Sequence, residues 1–342
     1  MMIEFFKRLF SWGEDIAIDL GTANTLVHIK ERGIVINEPS VLVVNSDTGD
    51  IISVGMDAKL MLGRTPGSIV SVRPMKDGVI SDFRYAEELL KTFIKKARNS
   101  SGFIKPRVCI CVSSGITEVE KRAVRDSAEH AGAREVYMVS EPMAAAIGLN
   151  LPIDTPTGNM VVCIGGGTTE VAVISLDGVV CSKSIRIGGD EVDEAIDLYM
   201  KKTYNLLVGE QTAERIKITI GSAYPLEKEE TMAVKGRDLV MGIPKTVKIS
   251  SREIREAIKE PVNSMVSAVR ATLEETPPEL ASDILDRGIT LCGGGSLLKG
   301  LDILLNKITN LPIHIAENAM TCIVEGTGKI FEDLDRYKNV LL

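Results

Sequence analysis

Apolar residues along this chain come in short runs broken by glycine, and one arrangement of them occurs twice. Ile16-Ala17-Ile18 leads into Asp19-Leu20-Gly21-Thr22-Ala23-Asn24-Thr25, and Leu26-Val27-His28-Ile29 follows. Met160-Val161-Val162 leads into Cys163-Ile164-Gly165-Gly166-Gly167-Thr168-Thr169-Glu170, and Val171-Ala172-Val173-Ile174 follows. Short apolar runs bounded by turn residues predict strands. At an offset of 163 − 19 = 144 the segments coincide, with Asp19 on Cys163, Gly21 on Gly165 and Thr25 on Thr169. The expectation is one strand, Gly-rich turn and strand used twice, as two phosphate-gripping hairpins that face each other.

The intervening pattern predicts an α/β chain. Residues 33–36 and 40–44 extend the first sheet, and residues 56–66 read as a helix closed by Gly63. A helix runs from about Tyr85 to Arg98, a strand from Val108 to Val112, and Thr117 with Glu120 forms a capping box. A strand at 136–139 delivers Glu141, and Pro142 opens a helix of small residues at the position where Pro is tolerated. After the second hairpin come a strand at 179–186, helices at about 188–204 and 212–220, and strand-like alternation over 221–249. Ser250 and Glu253 make another capping box, and the helical pattern breaks at Pro261 and at Pro277-Pro278. A strand ending at Leu291 enters Cys292-Gly293-Gly294-Gly295-Ser296-Leu297-Leu298, a turn expected to open a helix. Gly326-Thr327-Gly328 reads as a tight turn before a final helix.

The N-terminus has a different pattern. Met2, Phe5, Phe6 and Leu9 fall at i, i+3, i+4 and i+7, with Glu4, Lys7, Arg8 and Ser11 opposite. Such a helix over residues 1–12 suits a membrane interface, where bulky apolar side chains enter the bilayer and cations meet its headgroups. One copy holds weakly and reversibly, so firm attachment calls for many copies on one assembly. Phe103-Ile104, between Gly102 and Lys105, is either a second membrane contact or a tip folded back onto the core.

Composition narrows the class. The 342 residues suffice for two domains, and 44% hydrophobic with 25% charged residues is ordinary for a globular α/β protein. A net charge of −7 argues against a nucleic-acid partner. No stretch reaches the ~18 apolar residues of a membrane span. The six cysteines lie in apolar runs without a Cys-x-x-Cys pair, which fits reduced thiols in a cytoplasmic protein, and the three histidines are scattered.

Glycines directly after strands let backbone N–H groups approach phosphate oxygens. Three such turns, at 21, 165–167 and 293–295, are a strong signal, and none fits a P-loop or a dinucleotide fingerprint. Asp19, where strand meets turn, suits Mg²⁺ held through water. Glu141 suits orientation of an attacking water in phosphoryl transfer, or simply an acid favoured by a helix N-terminus. Glu214 and Lys217, at i and i+3, would alone be a solvated ion pair.

Paired hairpins, a Glu between them and a late Gly-Gly-Gly turn resemble the fold of actin, sugar kinases and DnaK-type chaperone ATPases. More narrowly, the chain resembles the MreB family of bacterial actin homologues over nearly its whole length. The resemblance is carried by residues 19–25, Asn-Glu-Pro-Ser-Val (37–41), Leu-Gly-Arg-Thr-Pro-Gly (62–67) and Val-Arg-Pro-Met-Lys-Asp-Gly-Val-Ile (72–80). Glu-Pro-Met-Ala-Ala-Ala-Ile-Gly (141–148), residues 165–173, Thr-Ala-Glu-Arg-Ile-Lys (212–217) and Pro-Pro-Glu-Leu-Ala-Ser-Asp-Ile (277–284) complete it. It implies an actin-like ATPase fold of two duplicated RNase H-like domains and four subdomains around an interdomain cleft for ATP or ADP with Mg²⁺. Domain I would span 13–150 with subdomain IB at about 43–84, completed by about 320–342; domain II would span 151–320 with IIB at about 190–250.

By the same resemblance, Asp19 and Gly21 with Thr22-Ala23-Asn24, and Gly165-Gly166-Gly167, would hold phosphates and metal. Glu214-Arg215-Ile216-Lys217 and Gly294-Gly295-Ser296-Leu297 would hold ribose and adenine. Glu141, with Thr168, would place the hydrolytic water. The implied function is an ATPase-timed cytoskeletal protein forming double protofilaments on the inner face of the cytoplasmic membrane. It would maintain rod shape by organising wall synthesis, with itself, membrane lipid and other shape and wall-synthesis proteins as partners.

Two residues depart from the family pattern. Cys163 stands where the family has Asp, as the internal repeat also predicts, and a soft thiol is a poor Mg²⁺ ligand. Nucleotide binding with slowed hydrolysis is the expectation. Ser113 stands where Pro is usual, with only a local backbone effect expected. A sugar kinase would need an acidic base and a polar sugar pocket, neither of which is evident, and a chaperone ATPase would carry a substrate domain after Leu342.

Overall fold

The structure, a computed structural model, describes residues 14–98 and 105–342. The predicted apolar face of Met2, Phe5, Phe6 and Leu9 and the Phe103-Ile104 tip lie outside the described residues. The chain divides into two units, one of residues up to Leu151 together with Thr321–Leu342, the other Pro152–Met320.

In the first unit, β1 (Asp15–Leu20), β2 (Asn24–Ile29) and β3 (Gly33–Pro39) form an antiparallel meander. A small sheet of β4 (Leu42–Asn45), β5 (Ile51–Val54) and β6 (Ile69–Val72) follows, then a short hairpin of β7 (Met75–Lys76) and β8 (Val79–Ile80). β9 (Arg107–Val112) lies parallel to β1, and β10 (Glu135–Ser140) parallel to β9, giving the order β10-β9-β1-β2-β3. Ile16, Ile18, Val108 and Ile110 alternate onto the face covered by Leu89, Leu90 and Phe93 of helix Phe83–Ala97. Asp82 caps that helix by accepting from Tyr85 N, and the Thr117–Glu120 box opens helix Glu118–His130 as the sequence predicts.

The other face carries helices Glu141–Gly148 and Cys322–Ile330, which cross closely. A Cβ on Gly326 would lie 1.8 Å from the Ala144 carbonyl oxygen, and one on Gly148 would lie 1.9 Å from that of Cys322. Gly326-Thr327-Gly328 is therefore not a turn. It sits inside a helix, where Gly326 serves the approach of a second helix and Gly328 that of the His28 ring on β2.

The second unit repeats the first sheet. β11 (Asn159–Ile164), β12 (Thr169–Ser175) and β13 (Gly178–Ile185) form the meander. Between them and the last strands come β14 (Leu206–Leu207), β15 (Thr231–Asp238) and β16 (Pro244–Ser250), a separate small sheet. β17 (Ile289–Cys292) and β18 (Ile313–Ile315) then add in parallel, giving β13-β12-β11-β17-β18. β11 and β12 are buried at every position, which explains their continuous apolar runs. Val192, Ile196, Met265 and Val269, from helices Gly189–Tyr204 and Lys259–Glu275, pack in the same core as Met160, Val162, Val171 and Val173.

Two boundaries differ from expectation. The break assigned to Pro261 falls at Ile258, because Pro261 is accommodated in the first turn of helix Lys259–Glu275, where its missing N–H has no intrahelical partner to lose. The turn after Cys292 enters a 3₁₀ segment, Gly294–Leu297, and an α-helix begins only at Leu301 after left-handed Gly300.

Candidate functional site

The two hairpins share their register. Asp19 pairs with Leu26 and Leu20 with Thr25 in the first; Cys163 pairs with Glu170 and Ile164 with Thr169 in the second. The turns close alike, with Gly21 N donating to Asn24 O at 3.1 Å and Gly165 N to Thr168 O at 2.8 Å. A residue from outside braces each turn. Ser40 Oγ donates to Gly21 O at 2.6 Å and lies 2.8 Å from Thr25 Oγ1, while Ser40 N donates to Ala23 O at 3.0 Å. In the second hairpin Thr169 Oγ1 donates to Ile187 O at 2.7 Å, and the amides of Gly189 and Asp190 donate to Gly165 O and Gly166 O at 3.0 and 2.8 Å. Thr22 is buried, and its Oγ1 accepts from Gly78 N at 3.1 Å.

Asp19 and Glu141 converge on Cys111, a residue sequence reasoning had not marked for the site. Cys111 pairs in register with Asp19, and its Sγ donates to Asp19 Oδ1 at 3.1 Å. Burial pushes the thiol well above its ordinary pKa, and the neighbouring Asp19 and Glu141 carboxylates add to the effect, so the sulfur keeps the proton it donates. Burial also raises the Asp19 carboxyl to about 6, against the lowering effect of that hydrogen bond. A half-buried carboxylate that accepts from a thiol offers hard oxygen to a divalent cation, and a nearby cation would favour its charged form. Asp19 therefore fits Mg²⁺.

The corresponding row of the second unit does not fit it. Cys163 is 1% exposed, pairs in register with Cys292, and lies 2.8 Å from it, Sγ to Sγ. No hard oxygen stands at this position. The buried carboxylate of the row is one strand away, at Glu170, whose Oε1 accepts from Ser184 Oγ at 3.1 Å.

Gly293, at φ +79°, rests against β11: an added Cβ would lie 2.3 Å from the Ile164 carbonyl oxygen, and one on Gly295 would lie 2.3 Å from Ile164 Cγ2. The turn of Gly294, Gly295, Ser296 and Leu297 is thus seated beside the end of the Gly165 strand. Ser296 is buried with its hydroxyl donating to Gly293 O at 2.7 Å, and Leu297 is exposed.

On helix Glu210–Ile220, Ile216 is buried in the core and Arg215 is exposed. Lys217 pairs with Asp193 at 2.7 Å and donates to Gly189 O at 2.9 Å, placing its ammonium beside the residue whose amide holds Gly165. Burial raises Asp193 to about 7 despite Lys217, and Glu214 adds to the rise. Asp193 Oδ1 is buried with no partner among the described residues. No local signal marked Asp193, Cys111 or Ser40, because each acts across the fold. The described residues hold no group of three His, Cys, Asp or Glu able to bind a metal, and no helix long and apolar enough to cross a membrane.

Comparison with known proteins agrees with these repeated units. The chain is 54% identical to the cell shape-determining protein MreB of Escherichia coli (strain K12) over 342 residues, 98% of each chain. It is 48% identical to the cell shape-determining protein Mbl of Bacillus subtilis (strain 168) over 325 residues, 95% of this chain and 98% of that one. The crystal structure of MreB5 of Spiroplasma citri bound to AMPPNP superposes with a TM-score of 0.90 at 38% identity, covering 95% of this chain and 97% of that one. The fold is the actin-like ATPase fold. A family model described as MreB/Mbl protein matches residues 13–339, and the chain belongs to that family.

Proposed function

We propose that this protein binds ATP with Mg²⁺, assembles with itself into double protofilaments on the inner face of the cytoplasmic membrane, and maintains rod shape by organising wall synthesis with other shape proteins. The observation that carries the reading is the pair of identically closed, externally braced Gly-rich turns. The AMPPNP in the Spiroplasma citri relative and the cell-shape names of the Escherichia coli and Bacillus subtilis relatives support it.

In this reading Gly21 with Thr22-Ala23-Asn24, and Gly165-Gly166-Gly167, bind phosphates through backbone N–H groups. Glu214 to Lys217 and Gly294 to Leu297 hold the nucleoside. Ile216 acts there through its backbone and neighbours, since its side chain lies in the core. When bound, Mg²⁺ would neutralise phosphate charge, and Asp19 would be the carboxylate that holds it. Glu141 and Thr168 orient the water. Residues 1–12 and Phe103-Ile104 contact lipid.

The nearest competing activities, a sugar kinase or a chaperone ATPase, have no support in the relatives described above. Sedimentation with ATP and liposomes tests the proposal, using the full chain and one lacking residues 1–12. ATP-dependent pelleting, with lipid co-sedimentation lost on removal of 1–12, is expected. An ATP-bound monomer that neither assembles nor touches lipid would overturn it.

A further inference from the structure

We propose that Cys163 and Cys292 form a reversible disulfide on exposure to a hydroperoxide, covalently fastening the two Gly-rich turns of the second unit. The two residues close the parallel ladder of β11 and β17 as an in-register pair, which places both side chains on one face of the sheet. Adjacent strands lie about 4.8 Å apart, within the Cα separation a disulfide accepts. The sulfurs are in direct contact, 2.8 Å apart.

No other cysteine in the strand ladders has such a neighbour. Cys109 stands between Ala17 and Tyr137, Cys111 between Asp19 and Val139, and Cys181 opposite Val173. The first unit has an acid, Asp19, where the second has Cys163, so only one of the two repeated sites pairs thiol with thiol.

The chemistry balances without a metal. One sulfur, as thiolate, attacks a peroxide oxygen, breaking the O–O bond to give a sulfenic acid and, with its proton, an alcohol or water. The second sulfur attacks the sulfenic sulfur, the S–S bond forms, and water leaves with the second proton. The peroxide is reduced by the two electrons the thiols lose. Because the sulfurs are 1% and 0% exposed, the reaction waits on local opening at the strand ends.

The bridge would join the residue two before Gly165 to the residue directly before Gly293. Any consequence for nucleotide binding rests on the function proposed above; the bridge itself does not.

The test uses the full, reduced, nucleotide-free chain, treated with hydrogen peroxide, quenched, alkylated in denaturant and digested without reduction. A cross-linked peptide joining Cys163 and Cys292 is expected, with the mass lower by two hydrogens and restored by a thiol reductant. It should be lost in Cys292→Ser and in Cys163→Asp. Full alkylation of both residues, or oxidation that stops at a sulfenic or sulfinic acid on either, overturns the proposal. Because the cross-link is mapped in the unaltered protein, a variant that fails to fold leaves the result intact. Binding of a fluorescent ATP analogue to the reduced protein is measured separately, and its absence would count against the nucleotide reading and not against the bridge.

Discussion

The two hairpins share a register and part most sharply in one row of side chains across it. In the first unit that row reads Leu26, Asp19, Cys111; in the second it reads Glu170, Cys163, Cys292. Register, turn closure and sheet order are retained, while the carboxylate moves one strand outward. Backbone geometry and site chemistry are thus separable: the first is fixed by glycines and braces, the second by one residue per strand.

The largest effect should come from breaking the backbone half of this comparison where it is tightest. Gly293→Ala puts a Cβ on a left-handed residue 2.3 Å from the Ile164 carbonyl oxygen. A loss of about 3 kcal/mol is expected in denaturant titration. Gly21→Ala, whose Cβ would meet Asn24 O at 2.7 Å, should cost less, since its φ lies outside the left-handed range.

The acid row gives the next effect, as a pH dependence. Asp19 is raised from 3.8 to about 6, so between these values the folded chain holds a proton the unfolded chain releases. Its stability contribution is full below about pH 4 and is lost as pH rises through about 6, by roughly 2 kcal/mol after allowance for partial exposure. Urea denaturation of nucleotide-free protein across this window should show the decline, and Asp19→Asn should flatten that part of it.

Cys163→Asp puts a carboxylate at the same place in both rows, with Glu170 still one strand out in the second. Phosphate release with Mg²⁺ and ATP should rise by about tenfold, equivalent to about 1.4 kcal/mol of barrier. No increase would mean that the missing carboxylate does not limit hydrolysis. Ser40→Ala removes hydroxyl bonds to Gly21 O and Thr25 Oγ1, and should cost about 1 kcal/mol by thermal unfolding. In the second hairpin Thr169→Val, at the position of Thr25, removes the hydroxyl bond to Ile187 O. Similar losses would show that the braces are interchangeable.

Much of this was legible in the chain because it is local. The duplicated hairpin, both capping boxes and the helix-opening Pro142 rest on residues within a few positions of one another. What was not legible depends on partners far away. Cys111 lies 92 residues from the Asp19 it bonds, and Lys217 finds Asp193, 24 residues back, rather than the Glu214 that helical spacing offers. Gly326 departs from the expected turn for the same reason: glycine in a sequence suggests a turn, and only the neighbouring Ala144 shows it serves a helix crossing.

That crossing has a consequence for synthesis. The first unit depends on a helix, Cys322–Ile330, that follows the whole of the second unit in the chain. As the polypeptide leaves the ribosome, residues 152–320 are complete before the earlier unit can lay Gly326 against Ala144. The usual order of co-translational folding, N-terminal domain first, is therefore reversed at its last step. Until then Ala144 to Gly148 present an uncovered apolar helix, and a nascent chain stalled before residue 322 should be a client for chaperones that hold such surfaces.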